Sequence, residues 1–280
     1  MTVEPGTLGA HLRNNTATPA QAVEIEKAGY GTVWLVGSPP ADLAVAERLL
    51  DATERVTVAT GIVNVWTADV RSVAASYHRI AARHPGRFLL GIGAGHPEAD
   101  AAYASPYETV VAYLDALAAH GVPADRVVLA ALGPKMLRLA RDRTAGTVPV
   151  LVTPEHARRA REILGAGPLV MPGQQVLLDD DAARARAAGR AAVGTPALHV
   201  VNYTSNLRRL GFTEADLTDP GSDRLIDALV LHGDAAAVAA GLVAHLDAGA
   251  DHVGVTVAGG DTLRTLRSVA EAVARLRSVG

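Results

Sequence analysis

The sequence predicts an α/β fold, a (β/α)8 TIM barrel, and three observations support it. Short apolar runs rich in β-branched residues alternate eight times with longer, alanine-rich segments of helical period. The runs are apolar on both faces, as parallel strands covered by helices are. The length of 280 residues suits one barrel, so residues 1–280 are expected to form a single domain. A doubly wound open sheet is the alternative, because alternation alone does not fix closure.

The predicted strands are bounded by turn residues and are five to eight residues long, the usual range for a barrel strand. They are Thr7–Leu12, Thr32–Val36, Val56–Val63, Phe88–Ile92, Arg126–Ala131, Val148–Val152, Gln174–Leu178 and His252–Val257.

Helices are predicted between the strands, and local start and stop signals support them. Thr18 and Thr153 each precede a proline, which suits a helix N-terminus, and Gly29 and Gly249 suit left-handed C-terminal caps. The segment 179–227 is longer than one helix and is predicted to form helical excursions between strands seven and eight. The helices that illustrate the pattern are Ala41–Ala52, Val70–Arg83, Pro134–Arg143 and Pro154–Leu164.

Composition excludes several classes of function. A net charge of −3 gives no basic surface for nucleic acid, and the absence of cysteine excludes disulfides, thiolate metal sites and cysteine nucleophiles. No apolar run approaches the roughly 20 residues that span a bilayer, and no signal peptide is apparent at the N-terminus. A cytoplasmic protein with no nucleic-acid or membrane partner is expected.

In a TIM barrel the active site lies at the C-terminal ends of the strands, which selects a few loops. The stretch FLLGIGAGHPE, residues 88–98, carries a predicted strand into a glycine-spaced loop with His96. It lacks the G-x-G-x-x-G spacing of a dinucleotide-binding loop, and no such motif follows the first strand. A strand end at an active site, a phosphate-binding glycine loop and a tight turn are the three interpretations of this stretch.

Two further loops each have two interpretations. TGIVNVW, residues 60–66, either supplies a core tryptophan and a turn-capping Asn64 or forms a platform for a flat aromatic ligand, with Trp66 in its wall. ALGPKMLRLA, residues 131–140, either is an ordinary proline-initiated helix or holds a phosphate on its free N–H groups, with Lys135 as charge partner.

Metal and serine-nucleophile chemistry are not expected. His96 and Glu98 lie close together, but no HExxH or H-x-x-x-H spacing accompanies them, and His156 has no neighbouring second ligand. No G-x-S-x-G motif occurs in the chain.

Nearly the whole chain resembles the luciferase-like flavin and deazaflavin oxidoreductases, and within them an actinobacterial subgroup thought to use coenzyme F420. The resemblance rests on the order and spacing of motifs that are individually only moderately specific. They are ATERVTVATGIVNVWTADV, HPGRFLLGIGAGH, RVVLAALGPKMLRLARDRTAG, PVLVTPEHARRAREILG, NYTSNLRRLGF, GSDRLIDALV and HLDAGADHVGV.

The resemblance implies a luciferase-like TIM barrel whose cofactor ring lies at the strand C-termini. It implies a non-prolyl cis peptide at Gly61–Ile62, or one residue to either side, backing the ring. It also implies that the helix start after strand five holds the cofactor phosphate and that His96 lies near the reacting edge of the ring, where relatives often have glutamate. The cofactor-binding residues are then expected to be Gly61, Ile62, Val63, Gly93, Gly95, Ala131, Leu132, Gly133, Pro134 and Lys135.

The expected reaction is hydride transfer between C5 of F420 and a small organic substrate. His96 and Asn64 are the predicted catalytic residues, and His11 and Trp66 are expected to contact the substrate. An FMN-dependent two-component monooxygenase and a non-catalytic ligand-binding barrel are the alternatives, so FMN is the alternative cofactor. Relatives commonly dimerise through helices near strands two to four, which implies a homodimer.

The chain departs from the family pattern in two places. After strand two it has GSPPAD, where many F420-dependent relatives have an acidic residue and a histidine. Ser38 and Asp42 are poor substitutes for that pair. The loops are also shortened, the first one above all, so a reduced substrate lid is expected.

Overall fold

The structure, a computed structural model, describes residues 4–95 and 105–279. The strands are β1 (Leu8–Arg13), β2 (Thr32–Val36), β3 (Thr57–Gly61), β4 (Val63–Asn64), β5 (Phe88–Gly93), β6 (Val127–Leu129), β7 (Gly146–Thr147), β8 (Leu169–Val170), β9 (Gly173–Leu178), β10 (Val230–Gly233) and β11 (Val253–Val257).

The α-helices lie between and after these strands, and a short 3-10 helix, Ala124–Arg126, precedes β6. The α-helices are α1 (Pro19–Lys27), α2 (Ala44–Ala52), α3 (Val70–Arg83), α4 (Pro106–Ala119), α5 (Pro134–Arg143), α6 (Pro154–Leu164), α7 (Ala182–Ala197), α8 (Val201–Arg209), α9 (Glu214–Leu217), α10 (Asp223–Leu229), α11 (Ala235–Asp247) and α12 (Thr262–Val279).

The strands form a parallel sheet that closes into the predicted TIM barrel. Its order runs β9-β11-β1-β2-β3-β5-β6-β7-β8. Strand β4 pairs with β5, and β10 pairs with β9 on the side away from β11. The two ends of this path meet because β8 and β9 are successive parts of one extended segment. Val150 on the strand-six segment also pairs in parallel with Gly173 at the start of β9.

Side chains fill the barrel on both faces of the sheet. Inside, Trp34 on β2, Leu89 on β5 and Met171 between β8 and β9 are buried in one cluster. Outside, a larger apolar cluster packs the strands against the surrounding helices. The predicted excursion between strands seven and eight is confirmed, and α7, α8 and α10 pack in a third cluster. Apolar burial on both faces accounts for the continuous hydrophobic runs.

The helix boundaries follow the predicted signals closely. The bounds of α3, α5 and α6 agree with the prediction. Thr18 accepts from the N–H of Gln21 in a capping box, and Gly29 and Gly249 have φ of 89° and 104°. Thr153 precedes α6 without a side-chain capping bond.

Two predicted boundaries are wrong for local reasons. Helix α2 begins at Ala44 and not at Ala41, because Leu43 has φ of 51° and Asp42 accepts a hydrogen bond from the N–H of Ala44. The predicted sixth strand, Val148–Val152, is also wrong in its bounds. Regular pairing there is limited to β7, Gly146–Thr147, and to a single bridge at Val150. Pro149, inside the predicted range, has no N–H to donate to a neighbouring strand.

The structure adds β8 and β10 to the predicted strands. Both strands are short. Strand β10 directly follows α10, with no turn residue between them to mark its start. The first connection is as short as predicted, because residues 14–18 alone join β1 to α1. Within the described residues, no helix combines the length and the apolarity needed to cross a bilayer.

Candidate active site

A cavity of about 370 Å³ opens at the C-terminal ends of the barrel strands, where the fold predicts the active site. Its wall is mostly apolar or backbone, as small-molecule sites generally are. Residues at the C-terminal ends of β1, β2 and β3 and residues that follow β5, β6 and β7 line it, together with two residues of α8. The lining residues are His11, Val36, Gly37, Ser38, Gly61, Ile62, Ala94, Gly95, Pro106, Ala130, Ala131, Leu132, Gly133, Met136, Val148, Pro149, Val150, Asn202 and Tyr203.

The third strand is broken by a bulge at the cavity wall. The Gly61–Ile62 peptide bond is cis, as predicted. Strand β3 pairs with β5 only through Val58 and Ala59, and pairing resumes at β4. The gap makes room for both Gly61 and Ile62 in the wall of the cavity.

The Thr60 side chain takes over the hydrogen bonds that the bulge removes. Its Oγ1 donates to the carbonyl oxygen of Gly91 and accepts from the Gly91 N–H, both at 2.8 Å. A Cβ on Gly91 would lie 1.9 Å from the Thr60 carbonyl oxygen, so only glycine fits there. Thr60 and Gly91 therefore hold the backbone that presents Gly61 and Ile62.

Gly93 and Gly95, at the end of β5 and just after it, contact different residues. A Cβ on Gly93 would lie 3.0 Å from Ile62 Cγ1 and 3.1 Å from Ala130 Cβ, so Gly93 gives space to the Ile62 side chain. Gly95 has φ of 60° and lines the cavity, and Asn64 lies directly beneath it. The side chain of Asn64 accepts a hydrogen bond from the N–H of Trp66. This is the turn-capping role, one of the two roles that the sequence predicts for Asn64.

Helix α5 begins at the cavity with unpaired N–H groups. Gly133 is its N-cap, makes no side-chain capping bond, and lines the cavity. Pro134 has no N–H, so the N–H groups of Lys135 and Met136 remain available to a ligand. This N-terminus carries partial positive charge and suits an anion.

Two cations lie near this helix start, in different settings. The Nζ of Lys135 lies 3.7 Å from the centre of the Tyr107 ring, in a cation–π contact. A Cβ placed on Gly133 would lie 3.8 Å from Nη2 of Arg209, on α8. Partial burial lowers the pKa of Arg209. Arg209 thus extends toward the N-cap of α5, whereas Lys135 is engaged with an aromatic ring.

His11 reaches the cavity from β1 and is held in one orientation. Its Nδ1 lies 2.7 Å from the Thr256 hydroxyl on β11, and its ring packs edge-on to Trp34 at 6.2 Å between centroids. Burial, with a smaller contribution from nearby His252, lowers the pKa of His11 to about 3. His11 is therefore a neutral imidazole at physiological pH.

A second buried histidine supports Trp34 from below. The Trp34 Nε1–H donates to His252 Nε2 at 2.9 Å, so His252 Nδ1 carries the proton and donates to the Gly6 carbonyl oxygen at 2.7 Å. Burial lowers the pKa of His252 to about 4. This chain of hydrogen bonds fixes the aromatic floor beneath the cavity.

The structure brings only part of the predicted site together at the cavity. The wall contains His11, Gly61, Ile62, Gly95, Ala131, Leu132 and Gly133. It does not contain Val63, Asn64, Trp66, Gly93, Pro134 or Lys135.

The residues outside the wall have local reasons for their positions. Val63 is fully buried. Trp66 packs against the main core, which is one of the two positions that the sequence predicts for it. His96 and Glu98 lie outside the described residues, although Gly95 and Pro106 on either side of that segment line the cavity. Among the described residues, no group of three metal-ligating side chains occurs.

Sequence reasoning missed Thr60, Thr256, Tyr203 and Arg209. Thr60 and Thr256 contact partners on neighbouring strands that are distant in the sequence, and Tyr203 and Arg209 come from the excursion helices, so no local motif marks them. The sequence motif NYTSNLRRLGF contains both Tyr203 and Arg209, but nothing local in it indicates that these residues reach the cavity. Burial raises the pKa of the Tyr203 hydroxyl to about 12, so this cavity residue stays protonated.

Comparison with known proteins gives one sequence match and several structural ones. Residues 3–119 match the family model of the luciferase-like monooxygenases. No curated protein sequence matches the chain significantly.

Three solved structures illustrate the likeness of fold. An F420-dependent secondary alcohol dehydrogenase bound to an F420–acetone adduct is 16% identical, with 96% of this chain and 99% of that chain covered and a TM-score of 0.75. Coenzyme F420-dependent tetrahydromethanopterin reductase from Methanopyrus kandleri is 15% identical, with 98% and 99% covered and a TM-score of 0.71. The oxygenating constituent of 3,6-diketocamphane monooxygenase from Pseudomonas putida, bound to FMN, is 15% identical, with 96% and 98% covered and a TM-score of 0.65.

At these identities the structural likeness establishes the fold alone, and it extends over nearly all of the chain. The sequence match covers the part that carries strands β1 to β5 and helix α4. Residues 3–119 are therefore similar to the luciferase-like monooxygenases, and the fold of the chain is the luciferase-like TIM barrel.

Proposed function

We propose that this protein is an F420-dependent oxidoreductase that transfers a hydride between C5 of the deazaflavin and a small organic substrate. The observation that carries the proposal is the cavity itself. Its wall includes the bulge at Gly61 and Ile62 and the start of α5 at Gly133. Two of the structural neighbours are F420-dependent enzymes.

The residues present fit a flavin-like group with a phosphate. Ile62 and Gly61 offer an apolar face for a planar ring, and the N–H groups of α5 offer an anion site. Arg209 adds a positive charge beside Gly133. The bound cofactor would supply the hydride chemistry, and the protein would bind and orient it.

Proton handling in this proposal falls to His96. A histidine ring can donate or accept a proton through its nitrogens. Asn64 lies beneath Gly95, the residue before His96 in the sequence. Its expected part is to support Gly95, since its amide oxygen is engaged with the Trp66 N–H.

The cofactor assignment is tested by titrating the purified protein with oxidised F420, reduced F420 and FMN, followed by fluorescence. Saturable binding of F420, with FMN at least about tenfold weaker, is expected; tenfold corresponds to about 1.4 kcal/mol. Tight FMN binding without F420 binding would overturn the assignment.

The alternative within the same superfamily is an FMN-dependent two-component monooxygenase. It is favoured by the structural neighbour that binds FMN and by GSPPAD, which lacks the acidic residue and histidine expected after strand two. FMN retained through purification and oxygen uptake that depends on an NADH reductase would support this alternative.

A non-catalytic barrel that binds a ligand without turnover is the second alternative, favoured by the short first connection. The variant His96→Ala separates it from the proposed enzyme. Loss of F420-linked turnover with unchanged F420 affinity would exclude the non-catalytic barrel. Unchanged turnover would remove His96 from the mechanism.

A cytoplasmic homodimer is part of the proposal, since relatives commonly dimerise through helices near strands two to four. Helices α2 and α3 carry ion pairs between Glu47 and both Arg79 and Arg83. Sedimentation of the purified protein at several concentrations measures the oligomeric state. A monomer at all concentrations would exclude the dimer.

A further inference from the structure

We propose that Arg159 on α6 is a positioning residue for the cofactor phosphate, because it holds the end of α8 from which Arg209 reaches the start of α5. Arg159 is not among the described residues that line the cavity. The inference rests on the proposed function, since Arg209 is the cation proposed to contact that phosphate. It therefore adds to the site a residue that acts only through another residue.

The first support is that the Arg209 side chain is free to bind a ligand. Its guanidinium forms no hydrogen bond or ion pair within the described part of the chain. Partial burial lowers its pKa, and a partly buried cation without a counter-charge is stabilised when an anion binds. A Cβ placed on Gly133 would lie 3.8 Å from Nη2 of Arg209. The guanidinium and the free N–H groups of α5 are therefore neighbours.

The second support is the hydrogen bond that fixes the backbone of Arg209. Nη1 of Arg159 donates to the Arg209 carbonyl oxygen. Arg209 is the last residue of α8, and no backbone N–H of the described chain donates to that oxygen. Glu155, one turn earlier on α6, accepts from Arg159 Nε at 2.7 Å and orients the guanidinium. Arg159 thus links the end of α8 to α6.

The third support is that α6 is itself fixed to the barrel. Ala157, Ala160 and Leu164 on its inner face are buried. On the same helix, Arg161 Nε donates to the Gly249 carbonyl oxygen at 3.0 Å, which ties α6 to the end of α11. Helix α8 belongs to the excursion and is not followed by a barrel strand, so contacts such as that of Arg159 determine where its end lies.

Arg158 provides a matched control for Arg159. It donates to the same Glu155 carboxylate at 2.7 Å and also pairs with Glu162, but it reaches no residue of α8 within the described chain. The side chains of Arg158 and Arg159 are similarly exposed, 51% and 41%. Changing either residue to methionine removes one positive charge from the same turn of α6, but only Arg159→Met releases the end of α8.

The experiment is a fluorescence titration with two ligands. One is F420, and the other is the deazaflavin alcohol that has the ring and ribityl chain of F420 but not its phosphate-bearing tail. The proteins are the wild type, Arg159→Met, Arg158→Met, Arg209→Ala and the double variant Arg159→Met with Arg209→Ala. The phosphate-free ligand also reports whether each variant is folded.

Arg159→Met should weaken F420 binding by about tenfold, the cost of fixing about one residue of backbone on binding. Its affinity for the phosphate-free ligand, and both affinities of Arg158→Met, should change by less than about threefold, since exposed charges contribute little. In the Arg209→Ala background, Arg159→Met should change F420 affinity by less than about threefold, because no side chain is left to position. A direct attraction between Arg159 and the phosphate would persist in that background.

Three results would overturn the inference. They are equal F420 affinities in Arg159→Met and Arg158→Met, an equal loss for both ligands in Arg159→Met, and a tenfold effect of Arg159→Met that remains in the Arg209→Ala background. Unchanged F420 affinity in Arg209→Ala would remove Arg209 from the phosphate site and refute the inference with it. Failure of the wild type to bind F420 would instead refute the proposed function, on which the inference depends.

Discussion

At the scale of single residues, Thr60 determines how the cavity wall is built. One hydroxyl group satisfies both the N–H and the carbonyl oxygen of Gly91, at the point where β3 and β5 stop pairing. Thr60 is fully buried, so water does not compete for these groups. The bulge at Gly61–Ile62 is therefore stable only while this side chain is present.

The first prediction concerns this hydroxyl. Thr60→Val keeps the shape of the side chain but leaves two buried backbone groups without partners, so we expect a loss of about 2–4 kcal/mol in the free energy of unfolding. Thr60→Ser keeps the hydroxyl and should lose only about 1 kcal/mol through the missing methyl group. Urea unfolding of both variants measures the difference. Equal losses in Val and Ser would show that the hydroxyl is not what holds the bulge.

Sequence reasoning at this scale succeeded where a residue acts through its own backbone. It located the cis bond at Gly61–Ile62 and the left-handed glycines at helix ends, which depend on local geometry and family pattern. It did not find Thr60 or Thr256, whose partners lie 31 and 245 positions away along the chain. The role of Gly93 beside the ring stays a prediction; a Cβ on Gly93 would lie 3.0 Å from Ile62, a residue of the cavity wall.

Among the secondary-structure elements, α5 and α8 meet at the cavity, and both lie at the proposed anion site. Helix α5 supplies free N–H groups at Gly133, and α8 supplies Arg209, Asn202 and Tyr203. The start of α5 was predicted from its Gly-Pro dipeptide. The approach of α8 was not, because its position follows from packing of the excursion helices in the third apolar cluster.

The second prediction separates the two cations near α5. Arg209→Ala should weaken binding of the phosphate-bearing cofactor by about 10- to 100-fold, the effect of losing one hydrogen bond to a charged group. Lys135→Met should change affinity by less than about threefold, because Lys135 contacts the Tyr107 ring.

Fluorescence titration with F420 and with FMN measures these affinities. Arg208→Ala is the matched control on α8, since Arg208 pairs with Glu214 away from Gly133. A larger loss in Lys135→Met than in Arg209→Ala would return the phosphate contact to Lys135, as the sequence predicted.

In the molecule as a whole, four of the described histidines are buried in neutral form. Burial lowers the pKa of His11 to about 3 and those of His156, His245 and His252 to about 4. In the unfolded chain these groups titrate near pH 6.5. Between about pH 6.5 and pH 4 the unfolded state therefore binds more protons than the folded state.

The third prediction follows from this difference. The free energy of unfolding should be constant above about pH 7 and should decrease as the pH falls from about 6.5 toward 4, since protons then favour the unfolded state. One histidine shifted from 6.5 to about 4 corresponds to about 3 kcal/mol. Guanidinium unfolding at pH 7.5, 6.0 and 5.0 measures the slope. Equal stability at pH 7.5 and 5.0 would contradict the neutral burial of these side chains.

The barrel architecture could be predicted from the sequence because the strand–helix unit is repeated eight times along the chain. Each strand–helix unit carries its own apolar pattern, and errors such as the bounds of strand six do not change the count. The composition of the cavity wall was less accessible, because residues 202 and 203 enter it from a segment predicted only as helical excursions.

A deazaflavin is proposed to lie between the Gly61–Ile62 bulge and the start of α5. A crystal structure of the protein with F420 is the decisive experiment. We expect the ring against Gly61 and Ile62, with the phosphate on the N–H groups that follow Gly133 and within hydrogen-bond distance of Arg209. A ring bound away from the bulge, or a phosphate bound away from α5, would refute the proposed cofactor site.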